Sequence, residues 1–393
     1  MGERRPSFPI LSEHARGGHA APLPMRNILI PSLATDMHAV VVQVALEQRG
    51  HHVVRWTCDE LPSLRTSSLT ISSQQKLDGW VRWHGRRVRT EEIDLVWLRR
   101  PGWPLAPAGA NADDGVPGDE ARRHWYRSIW EACWAANAAW VNTIQGRHRA
   151  NNRLVQLNAA RECGLAIPDT LISNEPDEVR RFIQSSRAVV KPFQTQDRRE
   201  GDKRTSMLTA SIRERRLPEE ALIRACPAIY QMCLPKAFEV RALFCGKAVL
   251  AVSFDAQRQT GTPIDWNVGR PDFSIGAKEI VVPPSIKEAC FAVMARLGIV
   301  TASFDFAVTP SGRWIFDELN EQGPFMGMEQ CAPEVCVTDM FVRFLEAESH
   351  WDFEYSRTET PLRLRELLNA PRTEELTLID AARIRNQVSS AVL

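Results

Sequence analysis

Residues 304–323, "FDFAVTPSGRWIFDELNEQG", place three oxygen-bearing side chains, Asp305, Glu318 and Asn320, within two apolar runs joined by a Pro-Ser-Gly turn. Residues two apart along a strand share a face, so Glu318 and Asn320 point one way while Asp317 and Leu319 point the other. The turn at Pro310 to Gly312 folds Asp305 back to a position nearly opposite Glu318. Simple alternation puts Trp314 and Phe316 on the face of Glu318, and Ser303 and Ala307 flank Asp305 as small residues. One reading is the solvated face of a sheet. The other is a cation site, because unpaired carboxylates in apolar surroundings are costly unless a cation compensates them. Oxygen donors without His or Cys suit a hard ion, Mg²⁺ rather than zinc, and Mg²⁺ commonly shares its octahedron with nucleotide phosphates.

A phosphate site should bring cations to strand ends. Lys191 stands where the run "AVV" leaves a strand, and Pro192 forbids that strand's continuation in the middle of a sheet, which puts the ammonium at a margin. The plainer alternative is a solvated lysine. Arg241 in "FEVRALF" lies among apolar residues on both strand faces and needs an anion, either a ligand's or that of Glu239, two residues back on its own face. No GxxxxGK[ST] loop and no GxGxxG fingerprint occurs, so neither familiar glycine loop would hold a nucleotide here.

These residues need a scaffold, and the chain supplies one of ordinary globular composition. It has 393 residues, 44% hydrophobic and 25% charged, enough for two or three packed domains. Lys plus Arg (49) nearly cancels Asp plus Glu (48), so no global field recruits nucleic acid or an anionic membrane. No apolar stretch approaches the roughly 18 residues of a spanning helix, and the first residues lack a signal-peptide core. The expectation is a soluble, cytoplasmic protein. Nine cysteines in scattered apolar contexts such as Cys133, Cys163 and Cys290 form no CxxC pair, which argues against disulfides and zinc.

Hydrophobic periodicity divides the chain. Residues 1–24 read as a flexible tail. "NILIPS", "DMHAVVVQVALEQRGH" and "HVVRW" form a strand-helix-strand unit, "IDLVWLRRP" another buried strand, and residues 121–140 an amphipathic helix with Trp125, Ile129, Cys133 and Trp134 on one face. Residues 25–145 are thus an α/β domain. The helix "RLVQLNAARECG" then stops at Gly164, and "AVVKPF", "AIYQMCL", "FEVRALFCGKAVLAVSF" and the opening hairpin supply antiparallel strands with flanking helices. These fall into a central segment, 146–227, and a C-terminal one, 228–350. The more polar residues 351–393 read as a peripheral helical tail.

Lys191 in "VVKPF", the stretch "IYQMCLPKAFEVRALFCGKAVLAV", "DW" at 265–266 and "SFDFAVTPSGRWIFDELNEQG" together resemble the ATP-grasp fold of carboxylate-amine ligases. "VWLRRPGWP" and "QLNAARECGLAIPDTLISN" resemble more particularly the branch that modifies ribosomally made peptides, the microviridin-type or graspetide ligases. The resemblance covers about residues 25–345 and implies an α/β pre-ATP-grasp domain followed by an ATP-grasp fold with antiparallel sheets. It implies Lys191 on the α- and β-phosphates, the hinge strand Gln231, Met232, Cys233 and Leu234 at adenine, Glu239 at the ribose, Arg241 as a γ-phosphate or acyl-phosphate clamp, and Asp305, Glu318 and Asn320 on Mg²⁺. Arg153 stands where the family usually has Lys and keeps the charge as a fork, and Asn267 follows "DW" where an Arg is expected. The loop after Lys191 is poor in glycine, and "NEQGP" replaces an "NPNGQ"-like segment.

The implied activity is ATP-dependent: the γ-phosphoryl group is transferred to a carboxylate, and a hydroxyl or amine then displaces phosphate to give an ester or amide. In the graspetide branch the acid is a side chain of a precursor peptide with leader and core, which the basic segments Arg198 to Arg204 and Arg213 to Arg216 could receive. The resemblance leaves room for a homodimer. Two other readings stay open, a ligase joining small carboxylates to amines and a nucleotide- or peptide-binding module without chemistry.

Overall fold

The computed structural model describes residues 24–57, 66–74, 77–83, 86–100, 119–184, 188–191, 193, 197–200, 203–206, 210–212, 217–255 and 276–390. The chain opens with β1 (Asn27–Ser32), α1 (Met37–Gln48) and β2 (His52–Thr57). A three-stranded antiparallel meander follows, β3 (Ser67–Thr70), β4 (Asp78–Trp83) and β5 (Arg86–Arg89). Next come β6 (Leu95–Trp97), α2 (Asp119–Ala135) and β7 (Ala139–Val141). Strands β2, β1, β6 and β7 make one parallel sheet in that order. Parallel strands need crossovers and cover on both faces, and α1 and α2 provide them. On α2, Ile129 and Cys133 are buried while Trp125 and Trp134 are exposed, so the apolar face is narrower than the periodicity predicts.

Helix α1 begins at an N-cap, Asp36, whose carboxylate accepts the backbone N–H groups of His38 and Ala39. Its β-branched run Val40, Val41, Val42 and Val44 is a poor intrinsic helix former, so tertiary burial carries the helix. Every residue from Ala39 to Leu46 is buried. An all-round apolar helix must be packed on all sides.

Two short helices, α3 (Ile144–Ala150) and α4 (Arg153–Glu162), lead out of this unit. Gly164, at φ +89°, ends α4 in a left-handed turn that glycine adopts without strain. The central unit then contains β8 (Thr170–Ser173), α5 (Pro176–Ile183), β9 (Ala188–Lys191), β10 (Asp197–Glu200), β11 (Lys203–Ser206), β12 (Ala210–Ile212), α6 (Glu220–Ala225) and β13 (Ala228–Met232). Its four-stranded antiparallel sheet runs β12, β9, β13, β8. The C-terminal unit has β14 (Phe238–Cys245), β15 (Ala248–Phe254), β16 (Ala277–Glu279), α7 (Pro284–Leu297), β17 (Thr301–Val308) and β18 (Trp314–Asn320). These strands form a five-stranded antiparallel sheet in the order β16, β15, β14, β17, β18.

Four helices close the molecule, α8 (Met326–Cys331), α9 (Val337–Glu346), α10 (Leu364–Leu368) and α11 (Pro371–Ser390). Beyond residue 350 the chain does more than decorate the surface. Leu364, Leu367 and Leu376 enter the same core as α1, and α1 packs against α9, α10 and α11. Arg55 of β2 donates to Gln43 Oε1 at 2.9 Å and to Asp380 Oδ2 at 2.6 Å, both contacts buried. Cys133, Cys245 and Cys290 are buried small hydrophobes, and burial pushes the Cys133 and Cys245 thiols up to about 12. No helix among the described residues is long and apolar enough to cross a membrane.

Candidate active site

The hairpin β17–β18 sets the geometry. Its connection closes through Thr309 and Arg313, with Gly312 at φ +80° and the Gly312 N–H donating to the Thr309 carbonyl at 2.9 Å. Asp305 is paired with Glu318 and Ser303 with Asn320, so the predicted convergence on one face holds. The register then slips: Phe306 pairs with Phe316, which leaves Asp317 as the extra residue of a β-bulge. The slip corrects two expectations. Trp314 and Phe316 face the aromatic core with Phe304 and Phe306, opposite to Glu318, and Asp317 is brought to the side of the charged cluster instead of away from it. The spacing shows why. Trp314, Phe316 and Leu319 all reach the core at intervals of two and then three residues, and an odd interval on one face requires an inserted residue.

Three cations meet these acids. Arg241, directly across from Asp305 on β14, donates from Nε to Oδ1 and from NH2 to Oδ2, both at 2.7 Å, a bidentate buried pair. Glu239, the alternative partner, takes Lys236 at 2.5 Å. Arg153, in the first turn of α4, donates to Glu318 Oε2 at 2.5 Å and to the Asp317 carbonyl at 3.1 Å. Lys191, the last residue of β9, reaches Asp317 Oδ1 at 2.6 Å. The site is therefore assembled from three parts of the chain: the lysine from the central sheet, the arginine fork from α4, and the acids with Arg241 from the C-terminal sheet.

Electrostatics separate the three carboxyls. Burial lifts Asp305 to about 7 against the pull of Arg241, with Glu318 and Asp317 adding to the rise. Burial also opposes ionisation of Asp317, but Lys191 and Arg153 outweigh it and hold this carboxyl well below its usual range. Glu318 is lowered for the same reason, burial being overcome chiefly by Arg153.

Asn320 is half-buried across from Ser303, whose hydroxyl is buried without a hydrogen-bond partner. Among the described residues no group of three or more His, Cys, Asp or Glu forms a ready cage for a metal ion. The donors nonetheless fit a hard cation by chemistry, being carboxylate and amide oxygens only, and each carboxylate is now held by a cation that phosphates would attract.

Gln231 and Met232 end β13, beside β9, in which Lys191 pairs with Ile229. Gln231 Nε2 donates to Thr170 Oγ1 at 3.2 Å and the Met232 N–H to the Asp169 carbonyl at 3.0 Å, while Met232, Cys233 and Leu234 are half-buried. Asn267, and with it the segment Arg213 to Arg216, lies outside the described residues, as do residues 201–202 within Arg198 to Arg204.

Sequence reasoning missed a second group, contributed by the parallel sheet. Arg99, just past β6 and fully buried, donates from Nε to Asp36 Oδ2 at 3.0 Å and from NH1 to the Gln322 carbonyl. Arg100 donates from Nε to Gln322 Oε1 at 2.9 Å. The Met326 N–H donates to His38 Nε2 at 3.3 Å, so His38 is neutral, its pKa lowered by burial and then by Arg99, Arg100 and Arg241. The loop after Asn320 is thereby tied to both halves of the molecule. Glu321 turns inward to Asn151 at 2.9 Å and Arg147 at 3.2 Å, and Asn142 Nδ2 donates to its carbonyl at 2.8 Å. The signal was present in "RRP" and "TDMH", but which strand end faces the loop is a tertiary fact.

Neither a protein-family model nor a curated protein matches the sequence. Among solved structures the chain is similar to the macrocyclase MdnC of Microcystis aeruginosa MRC bound with precursor peptide MdnA, at TM-score 0.69 and 23% identity over 81% of this chain and 99% of that one. A RiPP-associated ATP-grasp ligase of Chryseobacterium gregarium, in complex with ADP and a leader and core peptide, gives TM-score 0.67 and 21% identity over 80% and 97%. The macrocyclase MdnB of Microcystis aeruginosa MRC gives 0.67 and 22% over 82% and 99%. The chain has the ATP-grasp fold, in the arrangement these peptide-modifying ligases share.

Proposed function

We propose that the protein is an ATP-dependent, ADP-forming ligase that activates a side-chain carboxylate of a ribosomally made precursor peptide as an acyl phosphate. It then joins that carbon to a hydroxyl or amine of the same peptide, closing an ester or amide ring. The observation that carries this reading is the set of three interlocked ion pairs, Lys191–Asp317, Arg153–Glu318 and Arg241–Asp305, on one face of an ATP-grasp sheet.

Three cations and three acids neutralise one another without a ligand. Nucleotide phosphates and Mg²⁺ can be accepted by exchange of partners, cations to phosphates and acids to metal, with little change in local charge. Lys191 and Arg153 hold the inner phosphates in this reading, and Arg241 lies across the transferred group. Residues Gln231 to Leu234 offer backbone to the base, and Glu239 meets the ribose. Asp305, Glu318 and Asn320 would hold Mg²⁺, which when bound offsets charge on the phosphoryl oxygens. Arg241 contributes most where charge moves during transfer, so it favours the transition state over bound nucleotide. The buried faces around Asp305 exclude water that would otherwise hydrolyse an activated acid.

We place this work in the cytoplasm, where ATP is supplied and the free thiols of the chain persist. The similar structures, one bound with a precursor peptide and one in complex with ADP and a leader and core peptide, support the peptide as substrate and the nucleotide as co-substrate. The test is incubation of the protein with ATP, Mg²⁺ and a candidate precursor peptide, followed by mass spectrometry and ADP measurement. One water lost per ring with matching ADP release is expected. ADP release with small carboxylates alone would reassign the substrate, and nucleotide binding without ADP release would remove the chemistry.

A further inference from the structure

The cations of the site differ in what answers them. Lys191, Arg153, Arg241 and Lys236 each have an acidic side chain of the protein as partner. Arg100 is answered only at long range. Its Nε donates to a neutral amide oxygen, that of Gln322, and among the described residues its one carboxylate contact is Asp36 at 3.9 Å, which is engaged more closely by Arg99 at 3.0 Å and caps α1. Among the described residues its NH1 and NH2 have no hydrogen-bond partner, and the side chain is 48% exposed. Arg99 beside it is fully buried and grips the Gln322 carbonyl, which fixes the loop against which Arg100 leans. Gln322 is two residues past Asn320, so the loop that Arg100 leans on continues directly from the strand that carries Glu318 and Asn320, and Arg100 stands at the rim of the same site.

We infer that Arg100 is the receptor for the substrate carboxylate that is to be activated, and that Arg99 is a positioning residue that holds its seat. The inference rests on the ligase reading. An open guanidinium fork matches a carboxylate in a bidentate geometry and is weakly hydrated, so it takes up an acid side chain at low desolvation cost. A nucleotide does not need it, because three cations already face the acids that phosphates would displace. An incoming Glu or Asp side chain finds no other uncommitted fork among the described residues of the site.

The experiment uses N-acetyl-glutamyl-amide, a blocked residue with one side-chain carboxylate, observed by saturation-transfer NMR with the full chain, ADP and Mg²⁺. The uncharged N-acetyl-glutaminyl-amide is the control, and calorimetry gives ADP affinity for each variant. Transfer to the glutamyl probe but not the glutaminyl one is expected with the wild type. Arg100→Gln should weaken it at least ~5-fold and leave ADP affinity within about twofold, while Arg100→Lys restores part of it. Undiminished transfer in Arg100→Gln, equal transfer to both probes, or none in an ADP-binding wild type would overturn the Arg100 assignment and leave the ligase reading standing. A wild type that fails to bind ADP would overturn both.

Discussion

The molecule holds two sets of ion pairs that differ in reach. In the first, Arg55–Asp380 joins the parallel sheet to α11, and Arg99–Asp36 ties the end of β6 to the cap of α1. The Arg55 and Asp380 side chains are 1% and 4% exposed. In the second, Lys191–Asp317 joins the central sheet to the C-terminal one and Arg153–Glu318 joins α4 to it, and Lys191 and Asp317 are 12% and 36% exposed. A deep pair is fixed: taking either charge away strands the other where water cannot reach it. A half-open pair gains little when formed and gives up little when exchanged. Depth therefore divides the charges that hold the fold from those available to a ligand, and Arg241–Asp305 is the one site pair that is as deep as the clamps.

The largest effect should come from a clamp. Arg55→Ala leaves Asp380 buried without its cation and should lower unfolding free energy by about 3–5 kcal/mol in denaturant melts, with nucleotide affinity of the folded fraction unchanged. A loss of affinity comparable to that of Lys191→Ala would erase the distinction. Arg241→Lys tests the pair that belongs to both sets: turnover should fall with little change in ATP affinity, since the fork is lost and the charge kept, and a modest drop in melting temperature should accompany it. Turnover that survives intact would make Arg241 a clamp only.

Glu318→Gln should keep the fold and abolish ADP formation, with retained activity removing Glu318 from the metal set. Lys191→Ala should reverse the pattern of Arg55→Ala, costing about 1.5–3 kcal/mol, or one to two decades, in ATP affinity by calorimetry while the melt moves little. The smallest effect is a pH slope on the structural side. Burial, and next Arg26, depress His350 from 6.5 to about 4, so between those values the unfolded chain binds the extra proton. The stability due to neutral His350 is complete above 6.5 and is lost as pH falls towards 4, by about 3 kcal/mol in all. His350→Phe should flatten that limb of the stability profile, and an unchanged slope would assign the acid sensitivity elsewhere.

Much of the fold could be read from periodicity. Strand β1, helix α1 with its Gly50 stop, the hairpin at Gly246 and the β17–β18 hairpin all follow from local pattern and turn chemistry. The meander β3–β5 escaped because only a few of its residues, such as Val81 and Val88, are buried, so its pairing leaves a weak pattern. Residues 351–390 read as helical, but their packing into the core escaped because Leu364, Leu367 and Leu376 are sparse among polar neighbours; the stronger clue lay in α1, too apolar on every side to be covered by one sheet. In the site, Asp305, Glu318, Asn320, Lys191, Arg153 and Arg241 were nameable one by one, whereas their pairing was not. Asp317 was hidden by the bulge, which is decided across the ladder by Phe306 meeting Phe316, and Arg99 and Arg100 by a contact 223 and 222 residues away in sequence.

The clamp between Arg55 and Asp380 has a consequence for synthesis. The two residues are 325 apart in sequence. At ~5–20 residues per second a ribosome needs roughly 15–65 s to make that interval. Through it, the valine-rich α1 and the Arg55 guanidinium are already outside the tunnel with one flank uncovered. The first strands to emerge are thus among the last to be sealed. Codon changes that slow the late message should therefore lower soluble yield more than equal delays placed early.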